Sequence, residues 1–246
     1  MKRLVFFIIG ALLFIISVPS STKMVMELIN DQKMNVRYTI TGVNTGYPSV
    51  DPTFHFQDHL IEIEETIKNE EGYIDPWDNK IVLADLTLKL DGVQVDTLSS
   101  YPIRAEESGL NRYHGEIAYL MLKDKKMNKT DFTVLVKKTR ELEIEKPNGD
   151  IVGGVPEDKL TYNLYRVEDG GNIKRESFRF TERNELQTEL LNASAIVPYA
   201  IGYYTDAWEW YPTIFFPWIF PFLSLFVGFV LVIVCFPYRK ISRSHP

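Results

Sequence analysis

The strongest constraint on the fold is a stretch with no Asp, Glu, Lys or Arg, residues 214–236, followed at once by Arg239, Lys240 and Arg243. At about 1.5 Å per residue, a helix of this length crosses the ~30 Å hydrocarbon core with some tilt. A soluble core helix of that length and apolarity would be unusual. The run therefore reads as a transmembrane helix over 214–236 with a short basic tail, 237–246. Asp206 and Glu209 lie before it. The excess of Lys and Arg on the cytoplasmic flank of a span then places the tail in the cytoplasm and residues 23–210 outside.

The N-terminus predicts the same orientation. Lys2 and Arg3 precede an apolar run over 4–16, and small or polar residues follow over 17–22. This is the layout of a secretory signal peptide. A helix over 4–16 alone spans only about 20 Å, short of a bilayer core. Val18 and Ser20 are the small residues before a cut ahead of Ser21, although alanine is favoured there. Residues 1–22 are thus either a signal peptide or an uncleaved signal anchor.

Between these ends the composition changes sign. All 33 acidic residues fall between Glu27 and Glu209, and residues 23–210 hold 22 of the 27 basic ones, so the middle of the chain carries a net −11. That charge repels phosphate backbones and argues against nucleic-acid binding. The chain has a single cysteine, Cys235, so an exterior disulfide is excluded. A domain of this size can do without one. An exported domain without cysteines points to a bacterial cell envelope.

Residues 199–213 are dense in rings. Trp208, Trp210, Tyr211 and Trp218, with Arg239 and Lys240 at the far end, suit the membrane interface, where an apolar ring with a polar tip meets both phases. Pro217 and Pro221, four apart, would share one helical face, and Gly228 would let a neighbouring helix approach closely. These three are the candidate helix-packing positions.

Most of residues 23–198 alternates apolar and polar with period two, as at Val36, Tyr38 and Ile40, at Leu86, Leu88 and Leu90, and at Phe132, Val134 and Val136. Such alternation marks strands with one buried face. Asp91-Gly92, Pro147-Asn148-Gly149 and Asp169-Gly170-Gly171 supply turns between them. The expected fold is mainly β, an antiparallel β-sandwich-like exterior domain with one or two short helices. One of these helices is read over 182–192, with Thr181 as its N-cap.

Residues 51–72 fit two patterns. As a helix, Asp51 caps, Pro52 opens, and Phe56, Leu60, Ile63 and Ile67 form a stripe. As a strand, Glu62, Glu64 and Thr66 make a wet face. Strands on either side tilt the choice slightly towards strand, and a metal site depends on it. On a helix, His55 and His59 share a face beside Glu62 and can hold a divalent ion. On one strand, residues four apart are ~13 Å from each other and cannot.

Other signals are weaker. Asp75, Asp78 and Asn79 form an acidic loop without the spacing of a calcium-binding helix–loop–helix. Lys123, Lys125, Lys126 and Lys129 make a basic island in an acidic domain. Ser20 to Lys23 matches Ser-x-x-Lys but lacks the companion motifs of serine acylases. No nucleophile elbow, phosphate-binding loop or dinucleotide fingerprint is present. No catalytic residue or cofactor is therefore expected. The sequence reads as a non-enzymatic binding or accessory module of the envelope, whose partners are the bilayer and a membrane or envelope protein. The alternatives are a metal-dependent hydrolase using His55 and His59, and a small accessory subunit of a multi-span membrane complex.

Overall fold

The computed structural model describes residues 2–43, 53–74, 78–105, 112–113, 115–139, 156–194, 196–197, 199–208, 215 and 217–236, with 144–145 and 151–152 as backbone. The chain divides into two compact units, residues 34–199 and residues 1–33 with 200–246.

The first unit is built of antiparallel strands. In chain order they are β1 Tyr38–Gly42, β2 Thr53–Phe56, β3 His59–Ile74, β4 Lys80–Leu90, β5 Val93–Arg104, β6 Ile117–Asp124, β7 Lys129–Lys137, β8 Ile144–Glu145, β9 Ile151–Val152, β10 Thr161–Val167 and β11 Ile173–Arg179. They form a five-stranded sheet of order β1-β6-β7-β10-β11, a four-stranded sheet of order β2-β3-β4-β5 and the small β8–β9 pair. Asp91 and Gly92 both have positive φ (51° and 74°). Two such residues match the right-handed twist of flanking strands, and here they bring Leu90 opposite Val93.

Period-two alternation explains the packing. Phe54, Phe56, Ile61, Ile63 and Leu86 of the four-stranded sheet share one apolar cluster with Tyr119, Phe132, Val134, Val136 and Tyr165 of the five-stranded sheet. Phe54 lies 4.4 Å from the Tyr119 ring and 5.3 Å from Phe132, centroid to centroid. Each such side chain contributes about 1.5–3 kcal/mol on leaving water. β7 is buried over six successive residues, Asp131 to Val136. Its even-numbered positions meet the other sheet, and Leu135 points to the opposite face together with Leu120 and Leu164; Leu190 and Leu191 are also fully buried.

Leu190 and Leu191 belong to α2, Glu185–Ala193. Its cap is Asn184, not Thr181. The Asn184 side chain accepts the Gln187 N–H at 2.9 Å, and the Gln187 side chain accepts the Asn184 N–H at 2.9 Å. This reciprocal pair satisfies two backbone donors, whereas Thr181 sits in a separate 3₁₀ turn, Phe180–Glu182.

The second unit contains two apolar helices. The first, α1, is Lys2–Arg37, one uninterrupted helix through Pro19 and about 54 Å long. It is longer than the apolar run 4–16 suggested, and Val36, read above as strand, is helical; β1 starts at Tyr38. The C-terminal run is not one regular helix. A wide, π-helical segment, Trp218–Leu223, contains an extended residue, Phe220 (φ −133°, ψ 125°), and only Ser224–Cys235 is a regular helix, α3. Both helical stretches are long and apolar enough to cross a membrane. Their apolar side chains point outward: Leu4, Ile8, Leu12, Ile16, Phe226 and Val234 are exposed. Such faces belong in lipid rather than water, and they point to association with a membrane.

Candidate functional site

The metal reading fails on geometry. Residues 53–56 and 59–74 are the two arms of a hairpin, not a helix. His55 pairs with Leu60, and Phe56 pairs with His59. Neighbours along a strand face opposite ways, so His55 and His59 lie on opposite faces, with Glu62 on the His55 side. Cross-strand pairing of β3 with β4, over ten register pairs, selects strand here. His59 is engaged elsewhere: its Nδ1 lies 2.7 Å from Asp91 Oδ2, while Asp91 Oδ1 accepts the Leu60 N–H at 2.8 Å. These bonds, the Leu60 amide foremost, hold the Asp91 carboxyl below the usual range. Among the described residues no group of three His, Cys, Asp or Glu is placed to hold a metal ion. Asp78 and Asn79 are described, whereas Asp75 and His114 lie outside the described residues.

Several acids in the sheet unit are tied to cations or phenols. Glu65 accepts Arg112 Nε at 2.9 Å and the Tyr113 hydroxyl. Asp131 takes Arg166 Nη2 at 2.8 Å. Asp96 of β5 takes Arg175 at 3.0 Å and the Tyr165 hydroxyl from β10, joining the two sheets. Burial, then the neighbouring carboxylate, pushes Tyr113 and Tyr165 well above the ordinary phenol range. Burial also pushes Glu116 up to about 7, only partly offset by Lys137 and Arg104. A cavity of about 10 Å³ beside Asp96, Tyr165, Leu86 and Val136 has room for roughly one water. Small-molecule sites are usually several hundred Å³.

The most organised polar arrangement is in the helix unit. The buried positions of α1 include Gly10, Ser17, Ser21, Met24 and Glu27, a seam recurring every three, four or seven residues. At one end Gly10 meets α3. An added Cβ there would lie 2.6 Å from Leu231 Cβ, and one at Gly228 would lie 2.7 Å from the Phe14 nitrogen and 2.9 Å from the Gly10 oxygen. Only glycine lets the two backbones come this close. Phe14 packs on Phe229 at 6.2 Å and Phe7 on Phe236 at 5.8 Å.

At the other end Glu27, 3% exposed, closes a clasp. Its carboxylate accepts the N–H groups of Tyr203 and Tyr204 at 2.6 Å each and that of Thr205 at 3.3 Å. Trp208 Nε1 donates to the Met24 carbonyl at 3.3 Å, and Asn30 Nδ2 donates to the Tyr204 hydroxyl at 2.9 Å. Gly202 admits the carboxylate, since a Cβ there would sit 2.8 Å from Glu27 Oε1. Charge-assisted bonds of this kind contribute about 1.5–3 kcal/mol each. With both oxygens engaged by main-chain donors, Glu27 ties α1 to residues 203–205. The partners run 7 with 236, 14 with 229, 24 with 208 and 27 with 203–205, so the segments are antiparallel.

The sequence-derived interface and packing positions divide accordingly. Trp208 joins the clasp. Trp218 is 66% exposed, its ring 6.3 Å from Phe222. Trp210, Tyr211, Arg239 and Lys240 lie outside the described residues. The shared face of Pro217 and Pro221 does not exist, because extended Phe220 breaks the helix between them. Gly228 is buried against α1. Sequence reasoning misses Glu27, the Gly202 that admits its carboxylate, and Gly10, which meets α3; the seam spacing along α1 is the available signal. In the basic island, Lys125 Nζ donates to the Asn35 carbonyl at 2.7 Å, and Lys123, Lys126 and Lys129 are exposed.

No protein-family model, curated protein or solved structure matches this chain.

Proposed function

We propose that this chain is a membrane-anchored, non-enzymatic module of a bacterial cell envelope, whose two sheets form an exterior β-sandwich that contacts a partner protein or surface ligand. The observation that carries the reading is the inside-out character of the helix unit: small and polar residues face inward and large apolar ones outward. That arrangement suits a lipid solvent. The antiparallel pairing supports the proposed orientation. Phe236 packs on Phe7, so Lys2 and Arg3 share an end with the residues leading to Arg239 and Lys240. Both basic clusters then lie on the cytoplasmic side, as the charge rule requires.

A binding role draws support from the sheet unit. Several of its partly buried acids are spent on cross-links such as Asp96–Tyr165–Arg175, which stiffen a scaffold and leave its surface to do the recognising. The test is purification of a tagged full-length chain from solubilised membranes. A stoichiometric co-purifying component is expected; recovery of the chain alone overturns the reading. Protease added to intact cells or spheroplasts should cut the sheet unit, and alkali should not wash the chain from membranes.

A further inference from the structure

We infer that the N-terminal helix is retained in the mature protein as a permanent partner of α3, and that the Ser20–Ser21 bond is not hydrolysed. The seam Gly10–Ser17–Ser21–Met24–Glu27 is a docking face, and its occupants are the chain's own residues 200–208 and 217–236. This rests on the membrane-anchored reading and assigns the first helix a lasting role within it.

Three observations carry the inference. First, the residues a signal peptidase would read are locked in helix. Proteases bind their substrates extended, yet α1 runs without a break through Val18, Pro19 and Ser20. Ser17 and Ser21, on either side, are 0% and 6% exposed. Thr22 Oγ1 also donates to the Val18 carbonyl at 2.9 Å, across the bond in question.

Second, a cut there would strip α3. Gly228 packs on backbone atoms of Gly10 and Phe14, and Phe229 and Phe236 pack on Phe14 and Phe7. All the α1 partners lie before residue 21. Glycine in a helix interior costs about 1 kcal/mol relative to alanine, and Gly228 has a compensating use only while α1 is present.

Third, the clasp needs intact helix on both sides. A new terminus at Ser21 would leave the first four N–H groups unpaired and fray the turn just before Met24 and Glu27, the residues that hold Trp208 and the 203–205 amides.

The test is the intact mass of the full chain purified from membranes of its own host or a close bacterial one. The expected mass includes residues 1–20, less at most the initiator Met; a mass beginning at Ser21 overturns the inference. A second measurement does not depend on the processing enzyme. In detergent, chymotryptic cleavage at Tyr203 and Tyr204 should accelerate at least tenfold in Gly10→Leu and in Gly228→Leu, whose side chains enter the seam. It should stay at the wild-type rate in Ile9→Leu, whose side chain faces outward. Equal rates in all four proteins overturn the inference. A chain cut at Ser21 would still be held by α3 and could still recover a partner, so this proposal and the binding-module reading fail separately.

Discussion

The helix unit and the sheet unit each bury carboxylates, and they satisfy them by different means. Asp131 in the sheets meets a guanidinium, and Glu65 meets both a guanidinium and a phenol. Glu27 in the helix unit meets three main-chain N–H groups instead. Surface-derived cations are available to a domain wrapped in water, and a long Arg can keep its head half-wet while it pairs. Glu27 lies past the apolar run of α1, where no cation among the described residues is offered to it and the chain turns three amides towards the acid instead. The packing differs too: the sheets put Phe54 and Phe132 inside, whereas the apolar part of α1 puts Gly10 and Ser17 inside and Leu12 outside, as suits a lipid solvent.

The largest way to break this contrast is in the sheet core. Phe132→Ala empties a site that is 1% exposed and should cost about 3–5 kcal/mol, read by denaturant unfolding. Hydrogen exchange at Tyr203 and Tyr204 should stay at its wild-type rate. Next comes Glu27→Ala, which leaves three main-chain donors without their acceptor. A loss of about 2–3 kcal/mol should appear as faster exchange of those amides, and Glu27→Gln should restore part of it through its remaining oxygen. If Glu27→Ala leaves that exchange unchanged, the two units do not differ in the way described.

A pH titration sharpens the sheet side. The Glu116 carboxyl, raised from 4.5 to about 7, holds its proton more tightly in the folded chain than in the unfolded one. Its effect on stability is therefore most favourable at low pH and declines as pH rises through that interval. After allowance for partial solvent contact the decline should be about 1.5 kcal/mol. Glu116→Gln should flatten it, as measured by melting temperature against pH. The smallest effect is Asn184→Ala, which removes the α2 cap at a cost of about 1 kcal/mol and should touch only the sheet unit.

What could be read from the chain depended on how local the cause was. Alternation and the Asp91-Gly92 turn located β4 and β5 because both act over neighbouring residues. Residues 51–72 carried a helical stripe and a strand pattern together; pairing with β4, a non-local partner, decided between them. The end of α1 was misread because Val36, Tyr38 and Ile40 alternate across a boundary that falls at Arg37. The clasp was the least legible feature: Glu27 stands 176 residues from Tyr203, and to the eye it is merely the first acid after an apolar run. The break at Phe220 hid for the opposite reason, since two prolines in an apolar run still satisfy every test for a span.

The glycine crossing has an evolutionary consequence. Were the first twenty residues a disposable export tag, selection on position 10 would ask only for greasiness, and it would drift among Leu, Ile and Val independently of position 228. If instead the two sites touch throughout the protein's life, they form a covarying pair more than two hundred positions apart in the sequence. Orthologues should then keep both small, or enlarge neither without a compensating change across the contact.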